Sequence, residues 1–487
     1  MTIDRIIKKF KDNNPKADTE MISLAYDFAE KAHAGQMRKS GEPYIQHSLH
    51  TAYVLAEIKC DLPTVIAGLL HDVPEDTDYT LEDVRKNFGD EIHDLVEGVT
   101  KLGKLKYRGV ERYKENLRKM FIAMAHDLRI IFIKFADRLH NLRTLDALPD
   151  NKRERIAKET LEIYAPIAGL LGIWRLKWQM EDICFKFLYP EEFAELEHKY
   201  EVEKKTERNQ FFQKVKKELA EELDHHKISY TIEYRFKHLY SIWQKMQIKD
   251  RKFDEIYDVF ALRVMLTNIP DCYKVLGIIH TLWKPKINRF KDYIAVPKPN
   301  GYRSLHTTVF GPEGKATEFQ IRTVEMNEES IYGIAAHWHY KGAVGRNKKD
   351  DQPKWIKEIM DIKKEYQETN DFIHEIKNSN IFQDRIFVFS PKGDVIELPE
   401  KSTPIDFAYA VHTQVGNKAA GVLINDKIAS LDNELKNGDL VEIITEKNRP
   451  YPSQAWLKFA KTKHARESIK KYSKSPLIGK IKQYFQR

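Results

Sequence analysis

The run His71-Asp72-Val73-Pro74-Glu75-Asp76 places four side chains able to hold a metal or move a proton within six positions. His47 lies upstream, and Asp137 lies downstream in Phe-Ala-Asp-Arg-Leu-His. Two imidazoles and two carboxylates make a mixed nitrogen and oxygen shell that suits a hard or borderline divalent ion such as Mn2+, with positions left for water and substrate. A helix through residue 71 would set His71 and Glu75 on one face and Asp72 and Asp76 on the next, because residues four apart are neighbours. A metal pair and an acid/base pair would then address one cavity, the raw material of a metal phosphohydrolase. Alone, the His-Asp dipeptide reads as a chance pairing beside a solvated turn. His47 and Asp137 favour a site because both sit in otherwise apolar helical surroundings, Tyr44-Ile45-Gln46 and Ile131-Phe132-Ile133-Lys134-Phe135-Ala136, where an unpartnered carboxylate is costly to bury.

A second constellation carries different chemistry. Arg235, Lys237 and Lys245 ride on Tyr-Arg-Phe-Lys-His-Leu-Tyr-Ser-Ile-Trp-Gln-Lys, where a strand runs into a helix and presents three cations with Ser241 to a triphosphate. Asp258 and Glu318 sit on segments that read as strands, and two acids converging from a sheet are a usual way to hold Mg2+ against nucleotide phosphates. Each acid taken singly also reads as an outward-facing strand carboxylate. Lys291, Lys298, Asn300, Tyr302 and His306 cluster between them in sequence. Gly301 permits a tight loop there, and Tyr302 offers a flat face to a base.

The elements that must position these residues follow from pattern. At 487 residues the chain is long enough for about three domains. Residues 1 to about 195 read as helix after helix, with apolar residues at three- and four-residue spacing (Ile22, Ala25, Tyr26, Ala29; Leu49, Ala52, Tyr53, Ala56). The charged stretch from Glu191 to Asp224 reads as a solvated helix, more spacer than site. Strand-like segments then alternate with helices (Tyr230 to Arg235, Val259 to Leu266, Leu305 to Phe310, Ala316 to Ile321), predicting a mixed sheet with flanking helices that ends near Lys341. Residues 342–383 read as a connector, 384–446 as a small strand-rich unit with turns at Pro391-Lys392-Gly393-Asp394 and Asn437-Gly438-Asp439, and 447–487 as basic helix too short to bury a core of its own.

Composition narrows the class. Lysine and arginine number 81 against 73 acids, a net charge of +8, which favours phosphate-bearing partners without the character of a DNA-coating tail. Cys60, Cys184 and Cys272 are odd in number and form no Cys-x-x-Cys pair, so neither a disulfide framework nor a zinc ribbon is expected, and a reducing cytoplasm fits. No signal-like N-terminus and no stretch of about 18 apolar residues point to a membrane.

The ordered motifs together resemble the long RelA/SpoT homologues, enzymes that make and degrade (p)ppGpp. The resemblance rests on His47, His-Asp-x-x-Glu-Asp at 71–76, Ala-Asp-Arg-Leu-His-Asn at 136–141, Tyr-Asp-Val-Phe-Ala-Leu-Arg at 257–263, Gly-Tyr-Arg-Ser-Leu-His at 301–306 and Glu-Phe-Gln-Ile-Arg-Thr at 318–323. It implies an all-α HD-type hydrolase domain over 1–195, an α/β nucleotidyltransferase-like synthetase domain over 196–341 and a β-grasp TGS domain over 384–446. It implies Mn2+ on His47, His71, Asp72 and Asp137, with Glu75 and Asp76 orienting or activating water, Arg38 and Lys39 contacting the guanine nucleotide, and Asn141 and Thr144 its sugar and phosphates. In the synthetase half it implies that Arg235 and Arg263 sandwich adenine, that Lys237, Ser241 and Lys245 hold the ATP phosphates, and that Asp258 and Glu318 bind Mg2+. Tyr302 would stack on the acceptor guanine with Lys291, Lys298, Asn300, His306 and Gln320 nearby, and Glu318 would help deprotonate the acceptor 3′-hydroxyl.

Arg289-Phe290-Lys291-Asp292 matches the Arg-x-Lys-Asp form of bifunctional members. Two departures are Ser48, where the family usually has proline, and Val73-Pro74 in place of the common Thr-Val; Pro74 is expected to reset the helix start before Glu75 and Asp76. The TGS resemblance runs through Arg-Ile-Phe-Val-Phe-Ser-Pro-Lys-Gly at 385–393, Ala-Tyr-Ala-Val-His-Thr at 408–413 and Asn-Gly-Asp-Leu-Val-Glu-Ile at 437–443. It implies that His412 contacts the 3′ end of uncharged tRNA on the ribosome, whereas the residues themselves read it as structural. Pro452-Ser453-Gln454-Ala455-Trp456 resembles the start of a helical regulatory region, with no counterpart of the family's ACT-type C-terminal region after it. Three functions are expected to compete: a bifunctional GTP pyrophosphokinase and (p)ppGpp 3′-diphosphatase acting on ATP, GDP or GTP and (p)ppGpp; a hydrolase whose synthetase fold only senses nucleotide; or a ribosome- or tRNA-binding module. In the first, occupancy of one site should disfavour the other, since both running together would merely hydrolyse ATP.

Overall fold

The structure is a computed structural model that describes residues 1–103, 119–120, 122–124, 126–205, 207–249, 253, 260–287, 289–298, 300–333, 385–391, 394–436, 438–446, 449 and 451–472. The expected connector 342–383, Asp258 and the end of the expected synthetase domain beyond residue 333 lie outside the described residues. The chain forms two compact units, Met1–Ile356 and Lys357–Arg487, so the expected hydrolase and synthetase domains share the first.

The first unit begins with α1 (Ile3–Asn13), α2 (Glu20–Ala32), α3 (Ile45–Glu57), α4 (Leu62–Leu70), α5 (Val73–Asp76), α6 (Leu81–Phe88) and α7 (Asp90–Gly103). The predicted spacing works as a core code: Ile22, Ala25 and Ala29 of α2 and Leu49, Ala52 and Ala56 of α3 are all buried. Side chains stop and start these helices. Asp61 accepts the Thr64 N–H to cap α4, and Thr80 and Asp83 form a reciprocal capping box on α6. α4 is apolar almost throughout and buried from Thr64 onward, which makes it the central rod of the bundle. α8 (Leu128–Arg143), capped by Asp127, packs against α3, α4 and α7.

A single helix through residue 71 does not form. α4 ends at Leu70, and α5 restarts at Val73 with Pro74 in its first turn and Asp72 at its N-cap. Proline lacks the N–H that a continuing helix would need, so the chain turns between His71 and Asp72. His71 and Asp72 therefore face the same point from two different helices.

Beyond α8, α9 (Asp150–Glu159) passes through a π-helical turn, Thr160–Tyr164, into α10 (Ala165–Leu170), and after the Gly172 turn comes α11 (Trp174–Leu188). The Glu191–Asp224 stretch is not a spacer. It forms α12 (Pro190–Lys205) and α13 (Glu207–His225), and Leu196, Tyr200, Phe211, Phe212, Val215, Leu219 and Leu223 enter the sheet's core. The apolar residues at 211, 215, 219 and 223 recur every four positions, a narrow stripe that the surrounding charge conceals.

The sheet has the order β1-β2-β5-β4-β3, made of β1 (Tyr230–Phe236), β2 (Phe260–Leu266), β3 (Lys291–Asp292), β4 (Leu305–Phe310) and β5 (Ala316–Thr323). Only the β2/β5 pair is parallel, which makes the sheet mixed as expected. Its register separates two faces, because strand side chains alternate. Ile232, Leu262, Val264, Leu305, Val309, Phe319 and Ile321 join one buried cluster with α13 and with Cys272, Val275 and Ile279 of α15 (Ile269–Leu282). Arg235, Arg263, Glu318, Gln320 and His306 occupy the alternate positions. α14 (Leu239–Lys249) follows β1, and α16 (Val324–Tyr332) follows β5, capped by Thr323.

The helical part and the sheet part meet along a seam. Lys59, at φ +64°, bridges Glu328 at 2.7 Å, and Asn300 Nδ2 donates to the Gly169 carbonyl at 3.3 Å. Backbone meets backbone at Gly172 and Gly333: a Cβ added at Gly333 would lie 2.3 Å from the Leu171 carbonyl oxygen. Gly333 also has φ +57°, so side chains are excluded there twice over.

The second unit pairs β6 (Arg385–Phe389) with β7 (Val395–Pro399) and sets β8 (Ala419–Ile424) between β9 (Lys427–Ala429) and β10 (Val441–Thr445). α17 (Pro404–Val411) and the short α18 (Thr413–Asn417) lie between β7 and β8. The segment after 446 is less separate than its length suggested. Trp456, Ala460, Ala465 and Ile469, the last two on α19 (Lys463–Tyr472), share a core with Ile405, Ala408 and Tyr409 of α17. Asp406, fully buried, accepts the backbone N–H groups of Lys461 and Thr462. Among the described residues no helix is long and apolar enough to cross a membrane.

Candidate active sites

In the helical bundle the four expected ligands meet. His47 on α3 places Nε2 3.2 Å from Asp72 Oδ2 and 3.4 Å from Asp137 Oδ1, and His71 Nε2 lies 3.3 Å from Asp72 Oδ1. Donor atoms of His47, His71 and Asp137, all buried, converge at a spacing that could hold a metal ion. Each imidazole presents Nε2 because its other nitrogen is engaged. His71 Nδ1–H donates to the Gly68 carbonyl at 2.9 Å, and His47 Nδ1–H donates to His140 Nδ1 at 2.9 Å. His71 Nε2 is buried and makes no hydrogen bond, an unmet lone pair of the kind a cation satisfies.

The electrostatics agree with a cation site. Burial pushes the Asp137 carboxyl up, but Lys134, 2.7 Å away, and the two histidines outweigh it and hold it well below the usual carboxylate range. Burial likewise opposes ionisation of Asp72, and His71 and His47 overcome it. Burial draws the His71 pKa down, so that imidazole is neutral, the form that binds metals. Burial also acts against a charged His47, yet Asp137 and Asp72 raise its pKa, evidence of concentrated negative charge at Nε2. A divalent metal fits these residues.

Around this centre lies a pocket of about 450 Å³ lined by Arg38, Lys39, Tyr44, Lys134, Asn141 and Thr144, among others. Arg38 reaches both His140 Nδ1 (2.8 Å) and Asn141 Oδ1 (2.6 Å), and Asn141 Nδ2 donates to Asp137 at 2.5 Å. Lys39 is exposed at the rim, and Thr144 ends α8. Glu75 and Asp76 lie on the solvent side. Tyr44 Oη bonds both Asp72 (2.8 Å) and Asp76 (2.5 Å), which ties the proton-handling end to the metal end. Crowding by protein, and then the Asp72 charge, holds the Glu75 carboxyl above its ordinary value.

The second constellation gathers on the polar sheet face. Arg235 sits opposite Ala261 and Arg263 opposite Glu233, which makes the two arginines diagonal neighbours. Burial and then the Arg235 charge lower the Arg263 pKa. Arg263 aligns with Gln320 across the parallel pair, Gln320 with His306, and His306 with Lys291. Lys237 follows β1, and Ser241 and Lys245 stand one turn apart on α14. Glu318 Oε1 is 3.7 Å from His306 Nδ1 and accepts from Gln320 Nε2 at 3.1 Å. The 298–301 turn closes through Gly301 N–H to the Lys298 carbonyl (2.8 Å), with Gly301 at φ +79°, and the Asn300 side chain accepts the Tyr302 N–H. Tyr302 Oη meets His306 Nε2 at 2.7 Å. In the second unit, His412 is exposed and its Nδ1 accepts the Gln414 N–H, capping α18.

Sequence reasoning passed over three contributors. His140 and Tyr44 lie inside quoted motifs, but their partners come from other helices. Arg322, almost fully buried, donates to Tyr302 Oη (2.7 Å), Gln320 Oε1 (2.8 Å) and Ser330 Oγ (2.7 Å) and stands over the Tyr302 ring. Its signal was present: Glu318, Gln320 and Arg322 alternate along one strand. Ser48, the departure from the family's proline, is fully buried, and its hydroxyl makes no hydrogen bond.

Comparison with known proteins agrees with this division. Residues 25–174 match the HD domain, 234–345 the region found in RelA/SpoT proteins, and 386–445 the TGS domain. A guanosine-3′,5′-bis(diphosphate) 3′-pyrophosphohydrolase of Aquifex aeolicus is 45% identical over 97% of this chain and 67% of its own length. A GTP pyrophosphokinase of Streptomyces coelicolor is 44% identical over 96% of this chain and 57% of its own, and a bifunctional (p)ppGpp synthase/hydrolase of Mycobacterium tuberculosis is 43% identical over 96% and 64%. The chain thus spans between 57% and 67% of the length of these relatives. At this identity and coverage, and with the HD, RelA/SpoT and TGS regions all matched, the chain belongs to the RelA/SpoT family.

Proposed function

We propose that this chain is bifunctional: it transfers pyrophosphate from ATP to the 3′-hydroxyl of GDP or GTP, and it removes that pyrophosphate at the buried metal pocket. The observation that carries the reading is the presence, in one compact unit, of converging His47, His71 and Asp137 donors with Asp72 beside both imidazoles, and of a sheet face lined with cations and Glu318. His47, His71, Asp72 and Asp137 would hold Mn2+. When bound, the ion supplies Lewis-acid polarisation of the attacked phosphoryl group and of water. The protein does the rest: Arg38, Lys39, Asn141 and Thr144 orient the nucleotide, Glu75 with its raised pKa takes a proton from water, and Asp76 holds the Tyr44 hydroxyl in place.

For synthesis, Arg235 and Arg263 clamp adenine, and Lys237, Ser241 and Lys245 hold the triphosphate. Glu318 would bind Mg2+, with Asp258 as the expected second acid, and would accept the proton of the acceptor hydroxyl. Tyr302, braced by Arg322 and by His306, forms the acceptor platform with Lys291, Lys298, Asn300 and Gln320 around it. The TGS unit, through exposed His412, would engage uncharged tRNA on the ribosome. One nucleotide assay run in both directions tests the reading. Asp72→Ala should abolish degradation alone and Glu318→Ala synthesis alone; wild type that makes no ppGpp from ATP and GDP with Mg2+ refutes the synthetic half.

A further inference from the structure

Helix α14 is preceded by His238, a residue outside the usual capping set. The first amides of a helix need acceptors, usually from Ser, Thr, Asp or Asn at the N-cap. Here that position is His238, whose carbonyl accepts the Ile242 N–H while its Nδ1 makes no hydrogen bond. The acceptor arrives from another helix. Asp182 of α11 takes the Tyr240 N–H on Oδ1 at 2.9 Å, and one turn earlier Trp178 stacks on the His238 ring with centroids 6.3 Å apart and planes 19° apart. Two side chains of α11 thus grip the first turn of α14. Residues 174–188 fall almost wholly between the regions matched to the HD and RelA/SpoT families, and α11 packs on α8, which carries Asp137.

We propose that Asp182 is a positioning residue for ATP: by capping α14 from outside the synthetase sheet, it fixes the rotation and height of Ser241 and Lys245 against the triphosphate. The inference rests on the reading of α14 as the phosphate-holding helix. It also refines that reading. Because a carboxylate already occupies the helix-start amides, an incoming phosphate is held by the side chains of α14 and not by its N-terminus.

The test compares wild type, Asp182→Ala and Asp182→Asn, each with its melting temperature, in calorimetric titrations of α,β-methylene-ATP with Mg2+ and, separately, of GDP. The alanine variant should bind the ATP analogue about fivefold more weakly, the usual worth of an N-cap acceptor. GDP affinity should be unchanged. Asparagine keeps the acceptor oxygen and should restore ATP affinity to within about twofold. In the synthesis assay KM for ATP should rise in the alanine variant while KM for GDP holds. Should the alanine variant not fold, Asp182→Glu carries the same test, since one added methylene displaces the acceptor. Unchanged ATP affinity in the alanine variant overturns the proposal. So does an asparagine variant as weak as alanine, or equal loss of ATP and GDP binding. Wild type that binds the analogue yet makes no ppGpp refutes synthesis but leaves Asp182 to be judged on affinity; wild type that binds no analogue overturns both.

Discussion

In the helical bundle, Asp137 touches His47, Lys134 and Asn141 within 3.4 Å and is almost wholly buried. On the sheet, Glu318 touches His306 at 3.7 Å and Gln320 at 3.1 Å, and about a fifth of its side chain remains exposed. Both are acids proposed as metal ligands. The first is held in a finished cage, where the neighbouring charges offset the cost of burial. The second stands on a pleated surface that, in the proposed reaction, substrates would complete. A hydrolytic centre acting on water profits from complete preorganisation, whereas a transfer site must admit two nucleotides and lets them complete it.

The sharpest way to break that contrast is to remove one ligand from each side. Asp72→Ala should lose measurable (p)ppGpp hydrolysis and its Mn2+ dependence, with synthesis retained; hydrolysis that survives would show that the cage is not the reactive centre. Glu318→Gln should lower synthesis by about 10² to 10⁴ in kcat, the usual worth of a positioned base, with degradation unchanged in a coupled nucleotide assay. His140→Ala removes the acceptor that orients His47, and should weaken Mn2+ binding by about 10- to 100-fold in a metal titration while synthesis holds.

The smallest effect concerns stability. Burial raises the Asp182 carboxyl from an ordinary 3.8 to about 6, against the opposing Tyr240 N–H bond. Glu181 and Lys177 on α11 and Tyr200 on α12 surround it, and the Leu239 N–H at the start of α14 is a second donor to it. A raised folded pKa means that the folded chain binds the extra proton, so this contribution is fully present below about pH 4 and is lost as pH rises through 6. Asp182→Asn cannot ionise. Its melting temperature relative to wild type should therefore increase between pH 4 and pH 6 and level off above; a constant difference would remove the raised pKa from the account.

The contrast also explains what could be read in advance. The candidate metal set stood out through His47 and Asp137, each inside an otherwise apolar helix, which gave weight to the His71-Asp72 pair at a helix break. The strands were legible from alternation, and β2, β4 and β5 lie within a few residues of expectation. Tyr44 and His140 were not, because their importance lies in partners brought together by folding, whereas Arg322 shared the alternation of Glu318 and Gln320 and could have been found from it. The misread Glu191–Asp224 stretch shows the same limit: Phe211, Val215, Leu219 and Leu223 form a stripe narrow enough to be hidden by charge. The break at His71 depended on one proline that departs from the family's common residue.

The contact between Gly172 and Gly333 has a mechanical meaning. A joint lined with leucines can absorb displacement by rotamer changes, but two main chains pressed together have nothing soft between them. A small movement of the turn before α11 would pass undamped to the end of α16. At this joint no side chain stands between the two main chains to take up a shift.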